Sequence, residues 1–410
     1  MKPLIVSFLR WLHIAWANVL RNRRRSAVTA AIAAIGSAAV LIAGGFTLYT
    51  YRALAESSAR MTGHLVLATP AQFSRDEEVP LQHGLTNAER IRSQLLAEPA
   101  VRQVLPRVEF SGLIGNGEKS TVMMAVGIEA DSEFAIKGPF LKLQSGRVLS
   151  GDERAHVLLG DGLARSLKAA PGTTLTLLAT TVDGALNALD VTVAGTFSTG
   201  VTEIDKRLVY IDVFSAQQLL ATDRITSLGV FLDRMESTEP LRARIQNAQP
   251  ELAVQTWVEQ AAFYRSVRDL YNRIFGGLGL VIGIIVVFVV TNAMAMAVIE
   301  RTREVGTLRA LGTLPQQLVG CFALEGLLLG GLGAILGAAI TGLITVTLLW
   351  LPIQMPPPPG RSSGYPLQIA FDGTLYGVTL LSVLALSAIA SAAVARRAVH
   401  RPIVDALMHT

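Results

Sequence analysis

The sequence has little charge and a single cysteine, and it lacks phosphate-loop and metalloprotease motifs. Only 16% of its 410 residues are charged, against about 25% in soluble domains, which indicates membrane segments. The lone Cys321 excludes an intrachain disulfide framework and a CxxC metal site. The chain contains no GxxxxGK[ST] phosphate loop, no HExxH and no Cys/His cluster. We therefore expect a non-catalytic protein with no cofactor and no metal in this chain.

Long apolar runs account for the missing charge. A helix needs about 20 apolar residues to cross a bilayer, and four runs predict spans over residues 26–50, 274–299, 315–351 and 375–395. Residues 1–25 predict an amphipathic helix in the membrane interface, with Leu9, Leu12, Trp16 and Leu20 at helical spacing. The basic cluster at residues 21–25 comes late and a long run follows it, so we interpret the start as an uncleaved anchor rather than a signal peptide.

Basic residues predict the orientation of these spans. The sequence RNRRR precedes the first span, Arg301, Arg303 and Arg309 follow the second, and Arg396, Arg397 and Arg401 follow the fourth. By the positive-inside rule, both termini are cytoplasmic, including a tail at residues 396–410, and the loops 51–273 and 352–374 are extracytoplasmic. The net charge of +5 is then a topology signal, and we expect no nucleic-acid partner.

The large loop, residues 51–273, has the composition of a globular domain. Strand-like runs alternate with helix-like runs such as Ala88–Leu96 and Ser215–Leu220, which predicts an α+β domain, with two lobes as one arrangement. Trp257–Arg273 predicts a continuous helix that enters the second span. The fold class is thus an integral membrane α-helical protein with four transmembrane helices and a large α+β extracytoplasmic domain between helices 1 and 2. In the last loop, Met355–Gly360 (MPPPPG) predicts a stiff spacer.

The polar segment 300–312 (ERTREVGTLRALG) lies between two apolar spans. It predicts a short helix that ends at Gly312, followed by a capping box from Thr313 to Gln316. The like-charged pair Glu300 and Glu304 favours basic neighbours or a basic partner surface. The segment is either an ordinary connector or a docking helix, and the candidate docking residues are Glu300, Arg301, Thr302, Arg303, Glu304, Val305, Gly306, Leu308, Arg309, Leu311 and Gly312.

Small residues repeat within two of the predicted spans. GxxxG spacing lets helices approach closely in lipid, which predicts tight packing within a bundle or a homodimer. Glu325 is a carboxylate within a span, so it should face a partner or a cavity, or lie at the cytoplasmic interface. The candidate packing or interface residues are Gly279, Gly283, Glu325, Gly326, Gly330, Gly333 and Gly337.

These motifs together resemble a known family. ERTREVGTLRALGT, Glu325 with its glycine-rich helix, the entry WANVLRNRRRSAVTA and the tail Arg401–Leu407 resemble the FtsX-like permease signature. In the large loop, residues 64–66, 146–153, 157–160 and 171–172 are similar to the MacB and LolC/LolE type. The resemblance covers nearly the whole chain and implies the permease subunit of a type VII ABC transporter in the bacterial inner membrane.

That resemblance also implies partners and a mechanism. Two permeases, identical or paralogous, would bind two copies of a separate ABC ATPase that holds ATP and Mg, with residues 300–312 as the coupling helix. ATP hydrolysis would drive periplasmic conformational work, termed mechanotransmission, to extract or export a lipoprotein, lipid or other hydrophobic substrate. A periplasmic chaperone or adaptor and membrane lipid are further expected partners. The alternatives are an FtsX-like regulator of periplasmic proteins, an efflux permease of a tripartite pump, and a scaffold without an ATPase.

Overall fold

The computed structural model describes residues 2–74, 81–138, 141–355 and 364–400, without the side chains of residues 2–10, 263, 365 and 398. The chain divides into two units. We call Met1–Tyr51, Val267–Ile353 and Pro366–Thr410 the helical unit, and Arg52–Ser266 with Gln354–Tyr365 the sheet domain. The side chain of Leu9, residues 356–360 of the MPPPPG segment and the tail motif at 401–407 lie outside the described residues.

Helices make up most of the helical unit, and shorter helices occur between the strands of the sheet domain. In chain order they are α1 (Lys2–Arg21), α2 (Arg23–Thr62), α3 (Pro70–Ser74), α4 (Ala88–Leu96), α5 (Ala130–Lys137), α6 (Asp161–Leu167), α7 (Thr202–Asp205), α8 (Val213–Leu220), α9 (Thr238–Ala248), α10 (Trp257–Gln260), α11 (Ala262–Glu300), α12 (Thr302–Ala310), α13 (Pro315–Trp350) and α14 (Gly373–Val399). A 3-10 turn lies at Met235–Ser237.

Four of these helices, α2, α11, α13 and α14, are long and apolar enough to cross a membrane. Each contains one of the four predicted apolar runs and extends beyond it at one or both ends, apart from α13, which ends at Trp350. The sheet domain lies between the first and second of them in the sequence. The predicted fold class, four spans with a large domain of strands and helices between the first two, is confirmed.

Small side chains set the spacing of the helices around α13. A Cβ added to Gly330 would stand 2.6 Å from the Cβ of Ser387 in α14. On the other side, a Cβ added to Gly337 would stand 2.7 Å from the Cβ of Ser37 in α2. Both distances are below van der Waals contact, so only glycine allows α13 to approach its two neighbours this closely.

The strands of the sheet domain are β1 (Leu65–Ala68), β2 (Val101–Gly115), β3 (Ser120–Ile128), β4 (Lys142–Gly146), β5 (His156–Gly160), β6 (Thr174–Thr180), β7 (Leu186–Ser198), β8 (Leu208–Asp212), β9 (Ser227–Leu232) and β10 (Ala253–Thr256). Their order is β10-β1-β9-β2-β3-β8-β5-β7-β4, and β6 pairs with both β2 and β7. A separate two-stranded ladder joins β11 (Gln354–Met355) to β12 (Tyr365–Pro366).

Strand β2 pairs with three other strands along its length, β9, β3 and β6. Its first half, Val101–Arg107, pairs with β9, whereas Val108–Gly115 pairs with β3. Because β6 bridges β2 and β7, the strands β2, β3, β8, β5, β7 and β6 close a ring. The ring surrounds large apolar side chains such as Ile114, Leu177 and Val209, all of which are fully buried. Closure removes exposed sheet edges from this part of the domain.

The prediction of one continuous helix over Trp257–Arg273 is wrong. Helix α10 covers only Trp257–Gln260, and it starts with a capping box in which the Glu259 carboxylate accepts from the Thr256 N–H at 2.7 Å. Ala261 then leaves the helical region, with φ −87° and ψ 70°, and α11 begins at Ala262. The apolar pattern gave no sign of this break, because Ala261 is itself a good helix former.

Candidate functional site

The sequence predicted one short helix over residues 300–312. The structure has a bend at Arg301 followed by a shorter helix, α12. Glu300 is the last residue of α11, and Arg301 leaves helical geometry with φ −112° and ψ 16°. Helix α12 then ends in a left-handed residue, Gly312, at φ 96°. Its N–H donates to the Arg309 carbonyl and the Thr313 N–H donates to the Leu308 carbonyl, both at 3.0 Å. These two bonds form a Schellman motif, which ends α12 where glycine is favoured.

Helix α13 begins one residue later than the predicted capping box. Leu314 is the N-cap, with extended geometry, and Pro315 occupies the first helical position. The side chain that reaches back is Gln317, whose Oε1 accepts the Leu314 N–H at 3.3 Å. The predicted capping box from Thr313 to Gln316 is therefore wrong. Proline is favoured at the first helical position, where its missing N–H would have had no partner in the helix, so the N-cap is the residue before it, Leu314.

Helix α12 has an inward and an outward face. Val305 and Gly306 are buried, and Val305 packs in an apolar cluster with Val19 of α1, Met294 of α11 and Phe322 of α13. The outward side chains among the candidates are Arg303, Glu304, Leu308 and Leu311, with Gly312 exposed beside them; Thr302 and Arg309 are half-buried. Leu311 is 78% exposed. The helix thus combines a fixed inner face with exposed apolar residues.

The bend before α12 holds a buried ion pair. Arg301 Nη1 lies 3.1 Å from Glu325 Oε2, and the two side chains are only 4% and 2% exposed. The Arg301 Nη2 also donates to the Asn18 carbonyl of α1 at 3.5 Å. Glu325 therefore faces a partner within the chain, and Arg301, a candidate docking residue, points inward. Removing either charge would leave the other buried without compensation, which is strongly destabilising.

Three further contacts join the junction of α1 and α2 to this site. Arg21 Nη2 lies 3.1 Å from Glu304 Oε1, and Arg25 Nη1 lies 2.8 Å from Glu300 Oε2. Asn22 Nδ2 donates to the same Glu300 oxygen at 3.3 Å. The basic neighbours expected for the two glutamates come from the N-terminal cluster. Sequence reasoning missed this because it interpreted that cluster only as a topology signal.

The glycine candidates separate into two groups. Gly326 and Gly330 pack against Ser391 and Ser387 of α14, whereas Gly333 and Gly337 pack against the 30–38 segment of α2. A Cβ at Gly279 would meet nothing within 4 Å, and one at Gly283 would meet only Leu386 Cδ1, at 3.9 Å. The motifs of α13 therefore serve packing within the chain, and the motif of α11 does not.

The sheet domain contains its own buried charged cluster, which the sequence did not indicate. Glu133 Oε1 lies 2.8 Å from Arg107 Nη2 and 2.7 Å from Lys137 Nζ, and the side chains of all three residues are at most 5% exposed. Arg107 Nη1 also donates to the carbonyl of Thr62, the last residue of α2, at 2.8 Å. Burial alone would raise the pKa of Glu133, but the two cations outweigh it and the pKa is lowered. Through the bond from Arg107 to Thr62, the cluster connects the end of α2 to strand β2.

A cavity of about 580 Å³ lies beside this cluster within the sheet domain. Its lining includes Arg60 and His64 from the end of α2 and the start of β1, together with Ile136 and Phe231. The backbone N–H of Leu232 donates to His64 Nδ1 at 3.2 Å. Burial, and secondarily the charge of Arg60, lower the pKa of His64, so the neutral imidazole is favoured. Across the described residues, no group of three or more His, Cys, Asp or Glu side chains could hold a metal ion.

The fold and the site define a class: a polytopic membrane protein with a large domain between its first two spans and a short polar helix between its second and third. Two family models match this arrangement, the MacB-like periplasmic core domain at residues 26–248 and the FtsX-like permease C-terminal at residues 276–403. The chain belongs to the FtsX-like permease family of ABC transporter permeases, of the MacB/LolC/LolE type. The recognition made from the sequence motifs is confirmed.

Similar proteins agree with this placement. The chain is 26% identical over 279 residues to the lipoprotein-releasing system transmembrane protein LolE of Haemophilus influenzae, covering 66% of each chain. It is 26% identical over 252 residues to LolC of Xylella fastidiosa, covering 59% of this chain and 60% of that one. These matches therefore span less than two thirds of the relatives' lengths. Among solved structures, the periplasmic region of MacB from Actinobacillus actinomycetemcomitans matches with 16% identity and a TM-score of 0.36, covering 50% of this chain and 94% of that one.

Proposed function

We propose that this chain is the permease subunit of an ABC transporter whose separate ATPase docks on the outward face of α12. The observation that carries the proposal is the two-sided geometry of that helix. Its inner face is fixed by Val305 and by the buried Arg301–Glu325 pair, while Leu308 and Leu311 are exposed. A partner that pushes on a firmly seated helix can move the spans on either side of it. ATP and Mg would be held by the ATPase, in two copies for two permease chains, and α12 and both termini would be cytoplasmic.

The long helices support transmission of that motion to the sheet domain. At 1.5 Å per residue, the 40 residues of α2 and the 39 of α11 extend about 60 Å each, twice the hydrocarbon thickness. They contact each other where Tyr51 Oη donates to the Arg268 carbonyl at 2.9 Å and to Asn272 Oδ1 at 2.8 Å. The last carbonyl of α2 is held by the buried Arg107. These connections support the proposal that mechanical work is done on the sheet domain.

We further propose that the work releases a lipoprotein, or another lipid-linked hydrophobic substrate, from the inner membrane. The support is the similarity to LolE and LolC, which carry the names of lipoprotein-releasing proteins. A periplasmic chaperone would then receive the substrate from the sheet domain. A purely regulatory role would require ATP hydrolysis to act on partner proteins without any transfer of lipid-linked substrate.

The test is a paired substitution of exposed leucines. In full-length protein purified in mild detergent, Leu311→Asp should abolish co-purification of the ABC ATPase and its ATP hydrolysis, because it places a charge in the docking surface. The matched control is Leu186→Asp in β7, since Leu186 is 73% exposed and Leu311 is 78% exposed. Retention of the ATPase in both variants would contradict docking on α12.

Substrate release is tested separately in proteoliposomes that contain the permease, its ATPase and a radiolabelled triacylated lipoprotein. We expect ATP-dependent transfer of label to a soluble acceptor, lost in Leu311→Asp and kept in Leu186→Asp. Hydrolysis without any transfer would reject lipoprotein release and favour the regulatory function.

A further inference from the structure

The coupling helix α12 is attached to the rest of the chain by its flanking spans and also by contacts with the α1–α2 junction. The guanidinium of Arg21 lies 3.1 Å from the carboxylate of Glu304 within α12. The guanidinium of Arg25 lies 2.8 Å from the carboxylate of Glu300, the last residue of α11. Both contacts cross more than 270 residues of sequence. They arise because α1 ends at Arg21 and α2 begins at Arg23, so that the bend at Asn22 places basic side chains beside the start of α12.

These contacts differ in kind from the buried pair beside them. Arg301 and Glu325 are almost wholly buried, so their separation would leave uncompensated charges in an apolar environment. The side chains of Arg21 and Glu304 are 54% and 57% exposed, and in the second pair Glu300 is 50% exposed and Arg25 is 24% exposed. Exposed pairs add little to stability and are screened by salt. The site therefore combines one fixed attachment with two that can be changed without unfolding the helices.

The exposed pairs have an electrostatic task. Glu300 at the end of α11 and Glu304 in the first turn of α12 place two like charges on either side of the bend at Arg301. Arg21 and Arg25 each neutralise one of them. The direction in which α12 leaves the bend at Arg301 therefore depends on where the end of α1 places its guanidinium groups.

We propose that the α1–α2 junction is a positioning element of the coupling helix, with Arg21 and Arg25 setting the orientation of α12 through Glu304 and Glu300. This inference rests on the proposed function, since α12 is taken as the site of ATPase docking. The amphipathic helix α1 then acts as a lateral support for α12 as well as a membrane anchor. Without this support, the ATPase still binds and hydrolyses ATP, but less of its motion reaches the permease.

The principal test is a charge exchange in the reconstituted full-length complex. Arg25→Glu and Glu300→Arg should each lower the lipoprotein released per ATP hydrolysed at least fivefold, with ATPase assembly retained. The double variant Arg25→Glu/Glu300→Arg should recover to within twofold of the unmodified protein. The matched control is the same exchange at Arg147 and Glu153, an exposed pair of the sheet domain, which should leave the ratio unchanged.

Two outcomes overturn the proposal. A double variant as impaired as Glu300→Arg alone would mean that this glutamate acts on the ATPase and not on α1. Single variants with an unchanged release ratio would mean that the pairs position nothing. A merely structural role would lower the amount of folded protein in the single variants and would leave the release ratio of the surviving fraction unchanged.

A cross-link separates failure of this inference from failure of the proposed function. In a Cys321→Ser background the chain has no other cysteine, so Arg21→Cys and Glu304→Cys provide a unique pair for a short bismaleimide. Linkage in native membranes is expected whether or not an ATPase is present. If the two cysteines are linked but no ATPase co-purifies with the protein, the attachment is retained and the coupling function is rejected. If the cysteines are not linked, the attachment itself is overturned.

Discussion

The two units bury charge in opposite ways. In the sheet domain, Glu133 lies between Arg107 and Lys137, so the buried cluster carries an excess positive charge. In the helical unit, Arg301 and Glu325 form a single pair with no excess charge. Desolvation of ions is costly unless charges and hydrogen bonds compensate it. The sheet domain can bury the additional cation because further polar groups lie beside it.

Those partners are identifiable. In the sheet domain, Lys137 Nζ lies 3.3 Å from Tyr210 Oη and 4.9 Å from the centre of its ring, and Arg107 donates to the carbonyl of Thr62. In the helical unit, Arg301 has one additional acceptor, the Asn18 carbonyl at 3.5 Å. Helical backbone satisfies its own carbonyls, so a bundle has few left to offer except near helix ends. A buried charge in the bundle is therefore expected where α1 ends, which is where this pair lies.

The largest effect should come from breaking the sheet cluster with Glu133→Gln. Two buried cations would lose their counter-ion, at a cost of about 3–5 kcal/mol in the free energy of unfolding. Hydrogen exchange of full-length protein in detergent should show faster exchange in β2 and β8, because Arg107 lies in β2 and Tyr210 lies in β8. Glu153→Gln, in the exposed pair with Arg147, is the control and should cost at most about 1 kcal/mol.

The same cluster predicts an acid limit for the sheet domain. The folded-state pKa of Glu133 lies below its ordinary value of 4.5, so the stabilisation is complete above that value and is lost as the pH falls through the lower, folded pKa. Glu133→Gln should therefore reduce the loss of stability below pH 4.5. An unchanged acid profile would contradict the role of this carboxylate.

Glu325→Gln should lower the free energy of unfolding by about 3 kcal/mol. This is somewhat less than for Glu133→Gln, because one buried cation instead of two loses its counter-ion. The double variant Arg301→Met/Glu325→Leu removes both charges and should unfold at or above the temperature of the unmodified protein, since apolar replacement of a buried pair is often neutral or stabilising. Thermal unfolding in detergent measures both. A double variant as unstable as the single one would show that the pair holds the helices in a way that apolar contact cannot replace.

The packing of the helices offers the next test. Gly330→Ala should destabilise the helical unit by about 1–3 kcal/mol through overpacking against Ser387. Gly279→Ala is the matched control, because its new methyl group meets nothing within 4 Å, and alanine in a helix is favoured over glycine by up to about 1 kcal/mol. The two substitutions should shift the unfolding temperature in opposite directions. Equal shifts would mean that Gly279 also packs against something, such as a second copy.

The sequence predicted the elements of both units better than their contacts. The apolar runs located the four long helices because length and hydropathy suffice for that. The strands β3 and β8 show where such local signals end. Their parallel pairing, Met124 opposite Leu208, could not be predicted, since nothing local specifies a partner more than 80 residues away. The break at Ala261 was missed because it depends on a cap formed by the preceding residues.

The candidate site shows the same limit. Local chemistry located α12 and its end at Gly312, because a left-handed residue after a polar helix is a local feature. The pair of Arg301 and Glu325 is separated by 24 residues, and no periodicity connects them. A signal was nevertheless present: a carboxylate in an apolar span requires a cation, and Arg301 lies at the facing end of the preceding span.

The smallest effect concerns His64, whose pKa is lowered by burial and by Arg60. Between the folded pKa and the ordinary value of 6.5, the unfolded chain binds more protons than the folded one, so stability rises with pH in this window and falls as the pH drops through 6.5. His64→Asn keeps an acceptor near the position of Nδ1 for the Leu232 N–H but cannot titrate. The unfolding temperature of this variant should therefore depend less on pH between 7.5 and 5.5, whereas His13→Asn, in α1, should keep the dependence. An equal slope in the His64 variant and the unmodified protein would assign the pH response of the sheet domain to other groups.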